Sequence, residues 1–223
     1  MRDTTGGVGP AGSARAADSP TIVGRSSSHF TRVTRMVAAE LGLETAFEVV
    51  RDLSSTDSNA YGGHPALKIP TLLTSRGAWF GALNICRELW RLSDRRLRMT
   101  WPEDLGDPLL ANAQELVLQA MATEVSLIMA TLGGVPAESA YLHKLRRSLD
   151  NTLAWLEERA EAIFAALPPE REVSFLEITS FCLITHLDFR ELRPATPLVK
   201  FDGFCEAFGQ RPSARTTVYR FDP

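Results

Sequence analysis

Three consecutive serines, Ser26, Ser27 and Ser28, stand immediately before a helix-like run in GRSSSHFTRVTR, Gly24 to Arg35. A hydroxyl at a helix start can accept a hydrogen bond from an unpaired backbone N–H of the first turn and so cap the helix. It can also donate to an anion drawn there by free N–H groups and the helix dipole. Where that anion is a thiolate, the donated hydrogen bond lowers the thiol's pKa and supplies more nucleophile at neutral pH. As a pure cap, Ser28 would accept from the N–H near Thr31, with Ser26 and Ser27 as turn residues.

Other chemistry-bearing residues are sparse. Cys86, Cys182 and Cys205 form no C-x-x-C and cannot all pair, which argues against a disulfide framework or a dithiol centre. Cys182 and His186 are four apart and share a helix face, but no second ligand pair accompanies them, so core packing is expected and no metal. Gly7 to Gly12 fits G-x-G-x-x-G, yet no strand precedes it and no helix follows, so it cradles no phosphate. A net charge of -3 points away from nucleic acid and anionic membranes. No stretch reads as a membrane span of about 20 apolar residues, and residues 1–20 lack the apolar centre of a secretory signal. A cytoplasmic protein is expected.

Several elements must position the serines. Residues 1–20, rich in Gly, Ala, Ser and Thr, read as a disordered tail. TIV reads as a strand, and FTRVTRMVAAELGL as a helix with Phe30, Val33, Val37 and Leu41 on one stripe and Arg32, Arg35 and Glu40 off it. AFEVVRDL alternates as a second strand, a run after Pro70 as a third and AWF as a fourth, before a helix over LNICRELWRL. The first β-α-β unit implies parallel pairing and the later strands an antiparallel hairpin. Residues 94–107, charged, with Pro102 inside and Pro108 just beyond, read as a linker between residues 21–93 and an all-helical domain over 108–223. There Ala111–Leu132 and Ala137–Leu167 are helical. Ser174 and Glu177 form a capping box opening a largely buried helix, and a last helix covers roughly Leu198–Gly209.

Four segments in this order resemble the cytosolic glutathione transferase superfamily, bacterial-type, over nearly everything after residue 20. SHFTRVTRMVAAELGL is similar to the family's thioredoxin-type first helix, commonly S-P-Y-V-R-K-V-R. HPALKIPTL is similar to N-P-x-x-K-(I/V)-P-x-L, whose proline is cis. SFLEITSFCLITHLDFR resembles the buried capping-box helix, and AFGQRPSARTT the closing R-P-S-x-x-x-T. The resemblance implies an α/β thioredoxin-like domain followed by an all-α domain, a homodimer, and glutathione as co-substrate for a small electrophile.

It also implies site residues. Aligned on the helix from Arg35 to Gly42, Ser28 faces the glutathione thiol and matches the first cysteine of C-P-Y-C, with Thr31 at the second. Classes with an earlier serine keep Ser26 and Ser27 open. Ile69, before Pro70, pairs with the cysteinyl backbone, and Ser27, His29 and Phe30 border the site. His29 stands where proline is common and reads as site-lining or exposed, not as a base. The family's E-S-x-A-I-x-x-Y-L becomes WFGALNICREL, so Gly81 and Ala82 replace the Glu and Ser that hold the γ-glutamyl group. Losing two charge-assisted contacts of ~1.5–3 kcal/mol each weakens binding by one to four orders of magnitude. Two readings follow: a glutathione transferase acting through Ser28, or a non-catalytic or other-ligand protein on the same fold. Met121, Glu124 and Ile128 share a helix face that lines the electrophile pocket or packs within the bundle.

Overall fold

The computed structural model describes residues 19–223, so the tail expected over 1–20 and the Gly7–Gly12 pattern lie outside it, apart from Ser19 and Pro20. Strands β1 (Thr21–Gly24), β2 (Ala46–Val49), β3 (Thr71–Thr74) and β4 (Gly77–Phe80) form a mixed sheet in the order β2-β1-β3-β4. β1 and β2 pair in parallel across helix α1 (His29–Glu40), while β3 and β4 form an antiparallel hairpin beside β1. Helix α2 (Ala82–Leu92) follows and packs on α1. This is the β-α-β, β-β-α order of a thioredoxin-like unit.

Gly24, at the end of β1, permits the closest approach in this unit. A Cβ built there would lie 2.5 Å from Thr31 Oγ1 and 2.6 Å from Thr31 Cγ2. The absent side chain lets the first turn of α1 settle directly on the sheet.

The remainder is helical: α3 (Pro108–Leu132), α4 (Ala140–Ala166), α5 (Phe175–Phe189), α6 (Val199–Phe208) and α7 (Pro212–Thr216). Asp107 caps α3, and Ser174 caps α5 through the expected box, with Glu177 returning to the Ser174 N–H at 2.7 Å. Fifteen residues of α5 carry eleven buried side chains, among them Phe175, Ile178, Leu183 and Leu187. The helix runs through the middle of the bundle, as its nearly continuous apolar sequence requires.

Two expectations need correction. Residues 94–107 are more than a linker: they carry strand β5 (Met99–Thr100), which pairs in parallel with β6 (Val173–Ser174), and a short 3-10 turn. Two-residue strands are too short to show periodicity. Segment α3 does reach the length and hydropathy of a membrane span, with a mean hydropathy of 1.4 over its most apolar window. Its scattered Gln and Glu hid this from a count of unbroken apolar residues. In this fold Leu110, Val117 and Met121 of α3 are core, and the helix packs on α4 and α5. Helix α1 is covered on its other side as well. Arg32 and Glu40, off the apolar stripe, are buried, because α5 and α7 cover the side that faces away from the sheet. Arg32 donates to Thr185 Oγ1 (2.9 Å) and the Ala214 carbonyl (3.2 Å), under the rings of Phe181 and Tyr219. Arg211 grips Glu40 with Nε and Nη2 at 2.7 and 2.8 Å, and Ser213 Oγ adds a third hydrogen bond at 2.5 Å.

Candidate functional site around the serine turn

The sheet register brings two sequence-distant segments together. Val23 pairs with Thr71, so the chain leaving β1 toward the serines runs beside Ile69–Pro70, whose peptide bond is cis. Pro70 is buried and Ile69 half-buried.

Each serine has a separate task. Ser28 is the N-cap of α1, its Oγ accepting from Thr31 N–H at 3.3 Å. Capping uses one lone pair of a hydroxyl that also owns a proton, so the cap leaves Ser28 free to donate elsewhere. Ser27 offers its carbonyl to His186 Nε2 at 2.9 Å. Ser26 is buried, its hydroxyl has no protein partner, and its N–H donates to Asp222 Oδ2 at 2.7 Å. The C-terminal segment thus crosses the turn, held also by Arg51 Nη1 on the Pro223 carbonyl (2.8 Å) and by Phe221 against Phe189.

His29 is neither exposed nor lining an opening. It is fully buried, because α3 and α5 close over the first turn of α1, and it meets Glu124 and His186. Its Nδ1 lies 3.1 Å from His186 Nδ1 and 3.2 Å from Glu124 Oε2, the latter off-line for a hydrogen bond. His186 Nδ1 is 2.7 Å from Glu124 Oε1. Burial lowers the His29 pKa from its ordinary value, against the pull of Glu124. Burial alone would raise the Glu124 carboxyl, but the hydrogen bond from His186 and the nearness of both imidazoles outweigh it and hold it below the usual range. The sequence reading missed this cluster. Its one signal was an acidic residue at Glu124 on a stripe with Met121 and Ile128, since a buried charge demands a partner.

Cys182, weighed with His186 as a ligand, instead lies against Met36 Sδ at 3.6 Å. Burial pushes its thiol up to about 12, as it does that of Cys205, and raises Cys86 well above its ordinary value.

The surface carries two openings. One of about 420 Å³ is lined by Phe30, Gly81, Ala82, Asn84, Arg87 and Leu118. Gly81 is the N-cap of α2 with φ 81°, a conformation L side chains rarely adopt, and it gives no side-chain cap. Phe30, Gly81 and Ala82 therefore share one concavity, with the first amides of α2 unpaired by any capping side chain. Ser27, Ser28, Ile69 and Pro70 are not among its lining residues. The other opening, about 650 Å³, is lined by Leu127, Ile128, Arg146, Phe189, Arg190 and Phe221 among others. Of the helix-face trio, Ile128 borders this opening while Met121 and Glu124 are buried.

No protein-family model matches the chain, and no curated protein matches it. Solved structures do. A glutathione S-transferase of Methylobacillus flagellatus KT with GSH bound is 18% identical, with a TM-score of 0.71 over 91% of this chain and 100% of that one. A glutathione transferase family member of Pseudomonas fluorescens Pf-5 with bound glutathione is 21% identical, with a TM-score of 0.72 over the same shares. Glutathione transferase F7 of Populus trichocarpa is 15% identical, with a TM-score of 0.61 over 89% of this chain and 97% of that one. The serine turn, the cis Ile69–Pro70 edge and the capping-box helix thus belong to a chain with the glutathione transferase fold, a thioredoxin-like unit followed by an all-helical bundle.

Proposed function

We propose that this protein is a glutathione transferase that joins the thiolate of glutathione to a small electrophile, with Ser28 as the donor to the thiolate. The observation that carries the reading is the juxtaposition of the α1 N-terminus, capped by Ser28, with the Ile69–Pro70 edge. Neighbours of this fold hold glutathione, and a thiolate gains from both the helix dipole and a hydroxyl that keeps its proton to give. Ile69 would pair with the cysteinyl backbone of the tripeptide. Its γ-glutamyl carboxylate would rely on the amides of Ala82 and Leu83, since Gly81 and Ala82 supply no side-chain anchor. The opening beside Phe189 and Phe221, lined by Leu127 and Ile128 and also by Arg146, Arg190 and Arg193, suits an electrophile with apolar and anionic parts. A homodimer fits the exposed apolar face of Val125, Met129 and Leu132, and a cytoplasmic location fits a glutathione user.

A second reading is favoured by Asp222. Its carboxylate already occupies the Ser26 N–H, an anion where the first reading wants another, and Gly81 withholds the usual anchor. On that reading the fold binds a ligand without catalysis. Calorimetric titration with millimolar glutathione, followed by turnover of a general aryl electrophile, separates the two. The first reading expects saturable binding and turnover, with Ser28→Ala lowering turnover at least tenfold and leaving binding nearly unchanged. Binding without turnover gives the second reading. Turnover untouched by Ser28→Ala removes that serine from the mechanism.

A further inference from the structure

The cluster beneath the serine turn has a proton count that does not close while Glu124 is ionised. His29, Glu124 and His186 come from α1, α3 and α5 and are 0%, 0% and 3% exposed. The Ser27 carbonyl can only accept, so His186 Nε2 carries a hydrogen. Three close contacts remain among His29 Nδ1, His186 Nδ1 and the Glu124 carboxylate, at 3.1, 3.2 and 2.7 Å.

With the carboxylate ionised, a proton on His186 Nδ1 satisfies Glu124 Oε1. It then leaves His29 Nδ1 facing either a second N–H or a carboxylate lone pair. A proton on His29 Nδ1 alone leaves the His186 lone pair 2.7 Å from carboxylate oxygen. With the carboxylate ionised, each of these placements leaves one edge repulsive.

A cation relieves all three edges, because each atom can then present a lone pair. Donors ~2.0–2.2 Å from one tetrahedral zinc stand roughly 3.4 Å apart; the 3.1 and 3.2 Å separations here lie near that spacing, and the 2.7 Å pair would open on binding. The His186 Nε2 donation to a backbone carbonyl is the outer contact that fixes a metal-bound imidazole in the right tautomer.

We propose that His29, Glu124 and His186 bind one first-row divalent cation, with zinc the choice of a two-imidazole, one-carboxylate donor set. Among the described residues no fourth His, Cys, Asp or Glu joins the group, so the remaining position falls to water or to an incoming ligand atom. The ion staples α1 to α3 and α5, and through His186 it holds the Ser27 carbonyl and the turn itself. Its binding stands apart from whether glutathione binds.

The test is metal analysis of the full chain, purified without immobilised-metal resin or chelator, by inductively coupled plasma mass spectrometry. The expected result is close to one zinc per chain. After chelator treatment, zinc at about 100 times its Kd raises Tm by about 5–10 °C. Cobalt(II) substitution gives visible d–d absorption, lost in Glu124→Gln and His186→Gln and kept in His143→Ala, whose side chain is exposed. Should the cluster variants fail to fold, the cobalt spectrum of the native chain, read for imidazole coordination by electron–nuclear resonance, decides the donors. Substoichiometric metal with no thermal shift overturns the proposal, as does metal binding that survives both cluster variants.

Discussion

Gly24→Ala probes how tightly the serine turn is seated. The substitution adds one methyl group whose carbon would fall 2.5 Å from Thr31 Oγ1, 2.6 Å from Thr31 Cγ2 and 3.1 Å from Thr31 Cβ. Real Cβ atoms do not come that near, and Thr31 is fully buried on the first turn of α1 with no room to rotate freely. Overpacking of this kind costs about 1–3 kcal/mol. Gly24 has no left-handed φ, so the penalty is steric and not conformational. Thr31→Ala removes the two nearest atoms, together with a buried hydroxyl that lacks a partner, and by itself should change stability by less than about 1 kcal/mol. The double variant Gly24→Ala, Thr31→Ala should then recover most of the loss, giving a coupling of about 1–2 kcal/mol in a double-mutant cycle. Urea denaturation followed by circular dichroism measures all four proteins, and Gly24→Ala alone should lower Tm by roughly 2–12 °C. Strict additivity of the two substitutions would refute the claim that the α1 turn is held against β1 by this contact.

Two further outcomes follow from other contacts. Hydrogen bonds from Arg211 and Ser213 outweigh burial and hold the Glu40 carboxyl below its ordinary 4.5, so its contribution is present above that pH and is lost as pH falls through the lower folded value. Glu40→Gln should cost about 1.5–3 kcal/mol at pH 7 and flatten the acid limb of the stability curve below pH 4.5, measured by denaturation at stepped pH. With burial pushing Cys182 and Cys205 up to about 12, native protein should react with a maleimide far more slowly than unfolded protein, and Cys205, only half-buried, should react first. Peptide mapping by mass spectrometry reads the order.

Elements whose evidence was local were legible in the sequence. The α1 stripe, the α5 capping box and the β1–α1–β2 unit each lie within one unbroken stretch of chain, where periodicity and turn chemistry speak. The covered back of α1 was not, because Arg32 and Glu40 look like ordinary surface charges until Ala214, Thr185 and Arg211 arrive from far along the chain. Helix α7, five residues entered through Pro212, is too short for a pattern. The His29–Glu124–His186 cluster joins residues 62 and 157 positions apart, and no spacing rule spans such distances. Ser28 as a cap was legible, and the structure gives its hydroxyl one hydrogen bond, from the Thr31 N–H.

The Asp222 contact also sets an order of assembly during synthesis. Ser26 precedes its partner by 196 residues, so the strand and first helix leave the ribosome long before the residue that completes their connecting turn. At about 5–20 residues per second that interval is roughly 10–40 s. For that time the nascent chain carries a serine turn whose leading amide is still satisfied by water, and the turn closes only once Asp222 has followed.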